Sequence, residues 1–167
     1  LNANGEPVLG SVTGISTVTH AAVPVLQTPR FAAVLSSAVV LQWQDGGNPY
    51  GTEYRAQVST AANFGGNLQS AGWDIEVSTP LYGLAANTTY YYRAQARNQV
   101  GIETAFLNVG STETLANIPA SALSTFSAVV QFGLTAAWDA NGNPAGTLYW
   151  VAASTGFPLQ NWPDNIF

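Results

Sequence analysis

Gly83-Leu84-Ala85-Ala86-Asn87-Thr88-Thr89-Tyr90-Tyr91-Tyr92-Arg93-Ala94-Gln95-Ala96-Arg97-Asn98 is the stretch that decides the fold. Tyr90, Tyr92, Ala94 and Ala96 alternate with Tyr91, Arg93, Gln95 and Arg97. A period of two puts the first set on one face of a strand and the second on the other. A helix would mix the two sets around its axis. The tyrosines favour a pleated, half-buried surface. Ala85-Ala86-Asn87-Thr88 supplies a turn just before the run.

The same period appears on either side. Val39, Leu41 and Trp43 alternate with Val40 and Gln42, and Tyr54, Ala56 and Val58 alternate with Arg55, Gln57 and Ser59. Asp45-Gly46-Gly47-Asn48-Pro49 and Asn63-Phe64-Gly65-Gly66-Asn67 are turn clusters between such runs. This predicts strands near 30–35, 38–44, 53–60, 64–69, 72–83 with an interruption, 88–98 and 102–115. Seven strands suffice for one antiparallel sandwich of about 100 residues. The expected class is all-β.

The chain also repeats itself. Trp43, Gly47, Asn48, Pro49, Gly51, Thr52 and Tyr54 return as Trp138, Gly142, Asn143, Pro144, Gly146, Thr147 and Tyr149, always 95 residues later. The offset holds for Pro24 and Pro119, Phe31 and Phe126, and Ser59-Thr60 and Ser154-Thr155. One register held without a gap is the mark of a repeat. Residues 1–20 read as the last strand of a preceding repeat, 21–115 as one whole repeat, and 116–167 as the first part of the next. Pro49 fixes its φ and Gly51 is free to take a positive one, so the loop around Asn48 is expected to be a fixed turn.

Gly83–Asn98 resembles the corner and following strand of a fibronectin type III domain. Leu84 stands six residues before Tyr90, Asn87-Thr88 lies between them, and Ala96-Arg97-Asn98 leads to Gly101. Trp43 and Trp138 match the family's second-strand tryptophan, and Tyr54 and Tyr149 its third-strand tyrosine. The resemblance covers 21–115 and the front of a second copy. It implies a seven-stranded immunoglobulin-like sandwich with Trp43, Tyr54, Leu84, Tyr90, Trp138 and Tyr149 in the cores. It also implies adhesion, spacing or scaffolding, with no catalytic residue to carry over. In that setting Leu84 and Tyr90 form a tyrosine corner.

Composition narrows the function. The 167 residues are 47% hydrophobic but only 8% charged, with four arginines, no lysine and a net charge of −5. A phosphate-binding surface needs clustered cations, so nucleic acid is not an expected partner. A surface of small polar residues suits close packing in an assembly, or simply a mildly acidic secreted domain. Without cysteine there is no disulfide or thiolate chemistry. No apolar run reaches the roughly 20 residues of a membrane span. Residue 1 is Leu, so the chain is expected to be processed or part of something longer. The partial repeat 116–167 is expected to be completed by further chain, or by a strand from another chain.

Candidate sites are few. Asn87-Thr88-Thr89 has the form of an N-glycosylation sequon, although Asn-Thr is also ordinary turn chemistry at this corner. Asp139-Ala140-Asn141-Gly142-Asn143 resembles the start of a calcium loop, but Trp150 stands where a bidentate carboxylate is needed. It reads as a plain turn, with calcium between repeats through Glu113 or Glu6 as a further reading. His20 pairs with no nucleophile, and Asp74 and Glu76 lack the cleft that a glycosidase pair requires. No cofactor or metal is expected. Trp73, Trp150, Trp162, Tyr50 and Tyr91 are the aromatics not placed in a core. They are candidates for assembly or ligand contact. Trp150 replaces Arg55 at the equivalent position, so it should point outward.

Two functions are compatible with this. One is a non-catalytic structural repeat forming a stalk, sheath or filament at the cell surface, with self-association or neighbouring repeats as partners. The other is an adhesion or carbohydrate-binding module that takes up glycans, with an accessory module of an enzyme as one version of it.

Overall fold

The computed structural model describes residue 4 and residues 17–153. Two compact units divide at 115/116. The first holds β1 (Val25–Val34), β2 (Ala38–Gln44), β3 (Glu53–Ser59), β4 (Leu68–Ser70), β5 (Ser78–Tyr82), β6 (Thr89–Arg97) and β7 (Leu107–Glu113). They form two antiparallel sheets, ordered β1-β2-β5 and β4-β3-β6-β7. The unit is a seven-stranded immunoglobulin-like sandwich.

The inward rows build its core. Val39, Leu41 and Trp43 come from one sheet, and Tyr54, Ala56, Val58, Tyr90, Tyr92, Ala94, Ala96 and Val109 from the other. Leu81 and Leu84 complete it. Trp43 is only 1% exposed, and its ring lies 6.2 Å from that of Tyr54. Removing such a ring from a closed core costs about 3–5 kcal/mol.

Several boundaries differ from the sequence reading. β1 begins at Val25 rather than near 30. β4 is confined to Leu68–Ser70, because the Asn63 side chain accepts the Gly65 N–H and Phe64 takes a φ of 59°, which keeps 61–67 in a turn. Only Ser78–Tyr82 of the 72–83 stretch joins a sheet. Asp74 caps the Ile75 N–H at 2.7 Å, so Asp74 and Glu76 do not share a strand face. The final strand shrinks to Leu107–Glu113, with an isolated bridge from Arg97 to Glu103 before it.

The second unit holds β8 (Ala120–Val130) and β9 (Gly133–Asp139), paired antiparallel. Their register copies the first unit. Val25↔Gln44, Leu26↔Trp43 and Phe31↔Leu41 return as Ala120↔Asp139, Ser121↔Trp138 and Phe126↔Ala136. Among the described residues this part of a repeat has no closed core, as its length implies. Trp138 is 39% exposed and Tyr149 half-buried, although their rings lie 5.7 Å apart. Among the described residues no second sheet covers the β8–β9 face, so the equivalent of Trp43 keeps its register without its burial.

Candidate functional site

The outer face of the four-stranded sheet carries three of the four arginines. Arg55 projects from β3, and Arg93 and Arg97 from β6, at the outward positions of each strand. The guanidinium carbons of Arg55 and Arg97 each lie 4.5 Å from the Trp73 ring centroid. Arg93 lies against Phe64 at 4.1 Å and Phe106 at 3.7 Å. A guanidinium stacks flat on a ring and is attracted by its negative face. Arg97 Nε donates to Glu53 Oε2 at 2.6 Å, and Arg55 Nη2 to Glu103 Oε2 at 3.2 Å. The hydrogen bond it donates to Glu53 raises the Arg97 pKa. Burial, and after it the charge of Arg55, lowers that of Arg93.

This lattice explains why the outward row is not simply wet. Gln95 is 1% exposed, covered in part through its 2.6 Å bond to Glu103. Gln57 donates to Ser70 Oγ and accepts from Arg93 Nε. Strand alternation places the arginines, but the rings they meet come from other segments, and no local spacing announces those pairings.

The surface aromatics therefore divide. Trp73 is half-buried beneath two guanidiniums and is no open platform. Tyr91 is also half-buried. Tyr50 is 89% exposed and Trp150 63%. Tyr50 borders a cleft of about 240 Å³ with Asp45, Asn48 and Tyr54. Trp150 borders another of about 350 Å³ with Phe126, Trp138 and Tyr149. Trp162, Glu6 and most of 1–20 lie outside the described residues.

A second constellation recurs in both units. Asn48 Oδ1 accepts the Ala22 N–H at 2.6 Å, and Asn48 Nδ2 donates to the Ala22 carbonyl at 2.9 Å. In the second unit Asn143 does the same to Asn117, at 2.7 and 2.8 Å. The loop geometry is shared: Thr52 N–H to Pro49 O and Thr147 N–H to Pro144 O are both 3.2 Å. Gly51 and Gly146 take φ of 89° and 93°, a region that other residues enter only with strain.

At the corner before β6, the Tyr90 hydroxyl accepts the Ala85 N–H at 2.9 Å, with Leu84 and Tyr90 both buried. The tyrosine corner, the buried Trp43 and the three-plus-four strand order occur together.

The first unit has the fibronectin type III fold. Among solved structures it is similar to the fibronectin type III domain of a human fibronectin type III domain-containing protein, at 22% identity, covering 64% of this chain and 93% of that one, TM-score 0.44. It is also similar to the corresponding domain of the human collagen alpha-1(XX) chain, at 23% identity, covering 66% and 98%, TM-score 0.46. No family model and no curated relative matches the chain.

The remaining candidates lie in turns. Asn87 is half-buried at φ 47°, with its N–H on the Leu115 carbonyl, and Thr88 Oγ1 donates to Ala86 O. In the loop that resembles a calcium site, Asp139 Oδ1 accepts the Asn141 N–H at 2.6 Å. Asn141 Nδ2 donates to Ile118 O, and Asn143 holds Asn117. Among the described residues, no three acidic or histidine side chains gather as a metal site. No described helix is long and apolar enough to cross a membrane.

Proposed function

We propose that this chain is part of a non-catalytic structural repeat protein at the cell surface, built as a stalk, sheath or filament of sandwiches spaced 95 residues apart. The observation that carries this is the recurrence of the β1–β2 register in β8–β9, 95 residues on, together with the Asn48 and Asn143 loops. A fold that generally does no catalysis supports the same reading. So does the surface chemistry. Three of its four arginines are used in one lattice with Glu53, Glu103 and aromatic rings, and a chain with so few charges has mostly small polar groups left to face neighbouring repeats.

The second reading is an adhesion or glycan-binding module. It rests on Tyr50, whose exposed ring stands beside Asp45 and Asn48 at the mouth of a cleft. Protease treatment of intact source cells tests the first reading. Release of fragments of this sequence from intact cells supports it, and release only after lysis overturns it. A glycan array probed with the full chain and with Tyr50→Ala tests the second. Binding that is lost in the variant would favour it over a purely structural role.

A further inference from the structure

We infer that Asn48 and Asn143 are clamps on the chain that enters each repeat, and that they set the stiffness of the joint between repeats. This rests on the tandem-repeat reading above. A loop asparagine that bonds both the N–H and the C=O of one distant backbone residue acts as a short strand partner. It fixes the direction of that residue as well as its position. In the first unit the clamped residue is Ala22, two positions before the buried Pro24 and three before β1.

The clamp has supporting contacts in each unit. Asn98 Nδ2 donates to Thr19 O at 3.0 Å, and Asn98 Oδ1 accepts the N–H groups of Val100 and Ile102. Gly46, at φ 72°, sits so close to the incoming chain that an added Cβ would lie 2.7 Å from Val23 O. In the second unit that position is Asn141, whose Nδ2 donates to Ile118 O at 2.8 Å. Asn117 Nδ2 returns a bond to Asn141 O at 2.9 Å. The two loops differ in detail and hold the same stretch.

The chain between the two holds is very short. Leu115 donates its N–H to Leu35 O and accepts the Asn87 N–H, both within the first unit. Asn117 is clamped by Asn143 within the second. Only Ala116 stands between them in sequence. A linker of several free residues would act as a flexible coil. One residue between two fixed backbones leaves two soft dihedrals.

Asn143→Leu and Asn48→Leu in the full 167-residue chain test the clamp, with Asn143→Asp and Asn48→Asp as partial versions that keep the acceptor. Hydrogen exchange should speed up about tenfold at the Asn117 amide in Asn143→Leu and at the Ala22 amide in Asn48→Leu. The Asp variants should speed it up less. Amides of β6 should not change, which separates release of the clamp from loss of the fold. ¹⁵N relaxation should show the two units tumbling more independently in Asn143→Leu. Unchanged exchange at the clamped amides, or unchanged tumbling once they are released, overturns the inference. Failure of the array reading would appear separately, as a source polypeptide lacking further copies of the 95-residue unit.

Discussion

Tyr90 and Tyr92 stand two residues apart on β6 and are buried in the same core, yet of their two hydroxyls only that of Tyr90 has a hydrogen-bond partner among the described residues. Tyr90 accepts the Ala85 N–H at 2.9 Å. The Tyr92 hydroxyl is fully buried with none. A satisfied hydroxyl contributes about 1 kcal/mol, whereas an unsatisfied one carries its desolvation cost uncompensated. Tyr90→Phe should therefore lower stability by about 1 kcal/mol, and Tyr92→Phe should leave it unchanged or raise it. Urea unfolding of the full chain, followed at β6 amides, measures both. A Tyr92→Phe loss as large as that of Tyr90→Phe would contradict this account of the core.

The same burial sets a pH limit. Burial, and after it the neighbouring Tyr90, raises the Tyr92 pKa well above its ordinary value. Burial is also the main cause that raises Tyr54, opposed by the nearby Asn48 side chain. For such a group the unfolded chain releases its proton first as pH rises. Its contribution is fully present below the unfolded value of about 10 and declines above it. Between about pH 10 and 11 Tyr92 should remove about 1 kcal/mol of stability, and Tyr54 acts in the same direction. Urea midpoints for the parent and Tyr92→Phe at those two pH values test this. The variant should lose less, and parallel losses would refute the assignment to Tyr92.

Most of the sandwich was legible in the sequence because a half-buried strand writes its own period of two. The rows Val39-Leu41-Trp43 and Tyr90-Tyr92-Ala94-Ala96 give their faces directly, and both are buried as rows. The weak strands were not legible in this way. Leu68–Ser70 is three exposed residues at a sheet edge, set by the Asn63–Gly65 turn that precedes it. Trp138 shows another limit: the motif carries the pairing with Ser121 but not the cover that closed the core over Trp43. The lattice around Arg93 and Trp73 was hidden because each contact joins segments far apart in the chain. The loop around Asn48 was visible as a regularity in sequence. Its partner Ala22 was not, since a backbone acceptor has no residue signature.

Arg93 should matter more to stability than the ion pairs beside it. It lies against two rings, Phe64 and Phe106, and its Nε donates to Gln57 Oε1 at 2.8 Å. Each exposed cation–ring contact contributes about 0.5–1 kcal/mol, so Arg93→Ala should cost about 1–2 kcal/mol. Arg93→Lys should recover little of it, because an ammonium has no flat face to lay on the rings. The Arg55–Glu103 pair is different. Both side chains are partly exposed at 3.2 Å, and such a pair contributes at most about 1 kcal/mol and is screened by salt. Glu103→Gln should therefore cost less than Arg93→Ala at low salt, and nearly nothing at about 1 M, where the Debye length falls to about 3 Å. The Arg93→Ala cost should persist at both salt concentrations, because ring contact and buried stem are not ionic. Urea unfolding of the three variants at both concentrations decides it. If the Arg93→Ala cost disappears in high salt, the guanidinium acts through its charge alone and the rings are bystanders.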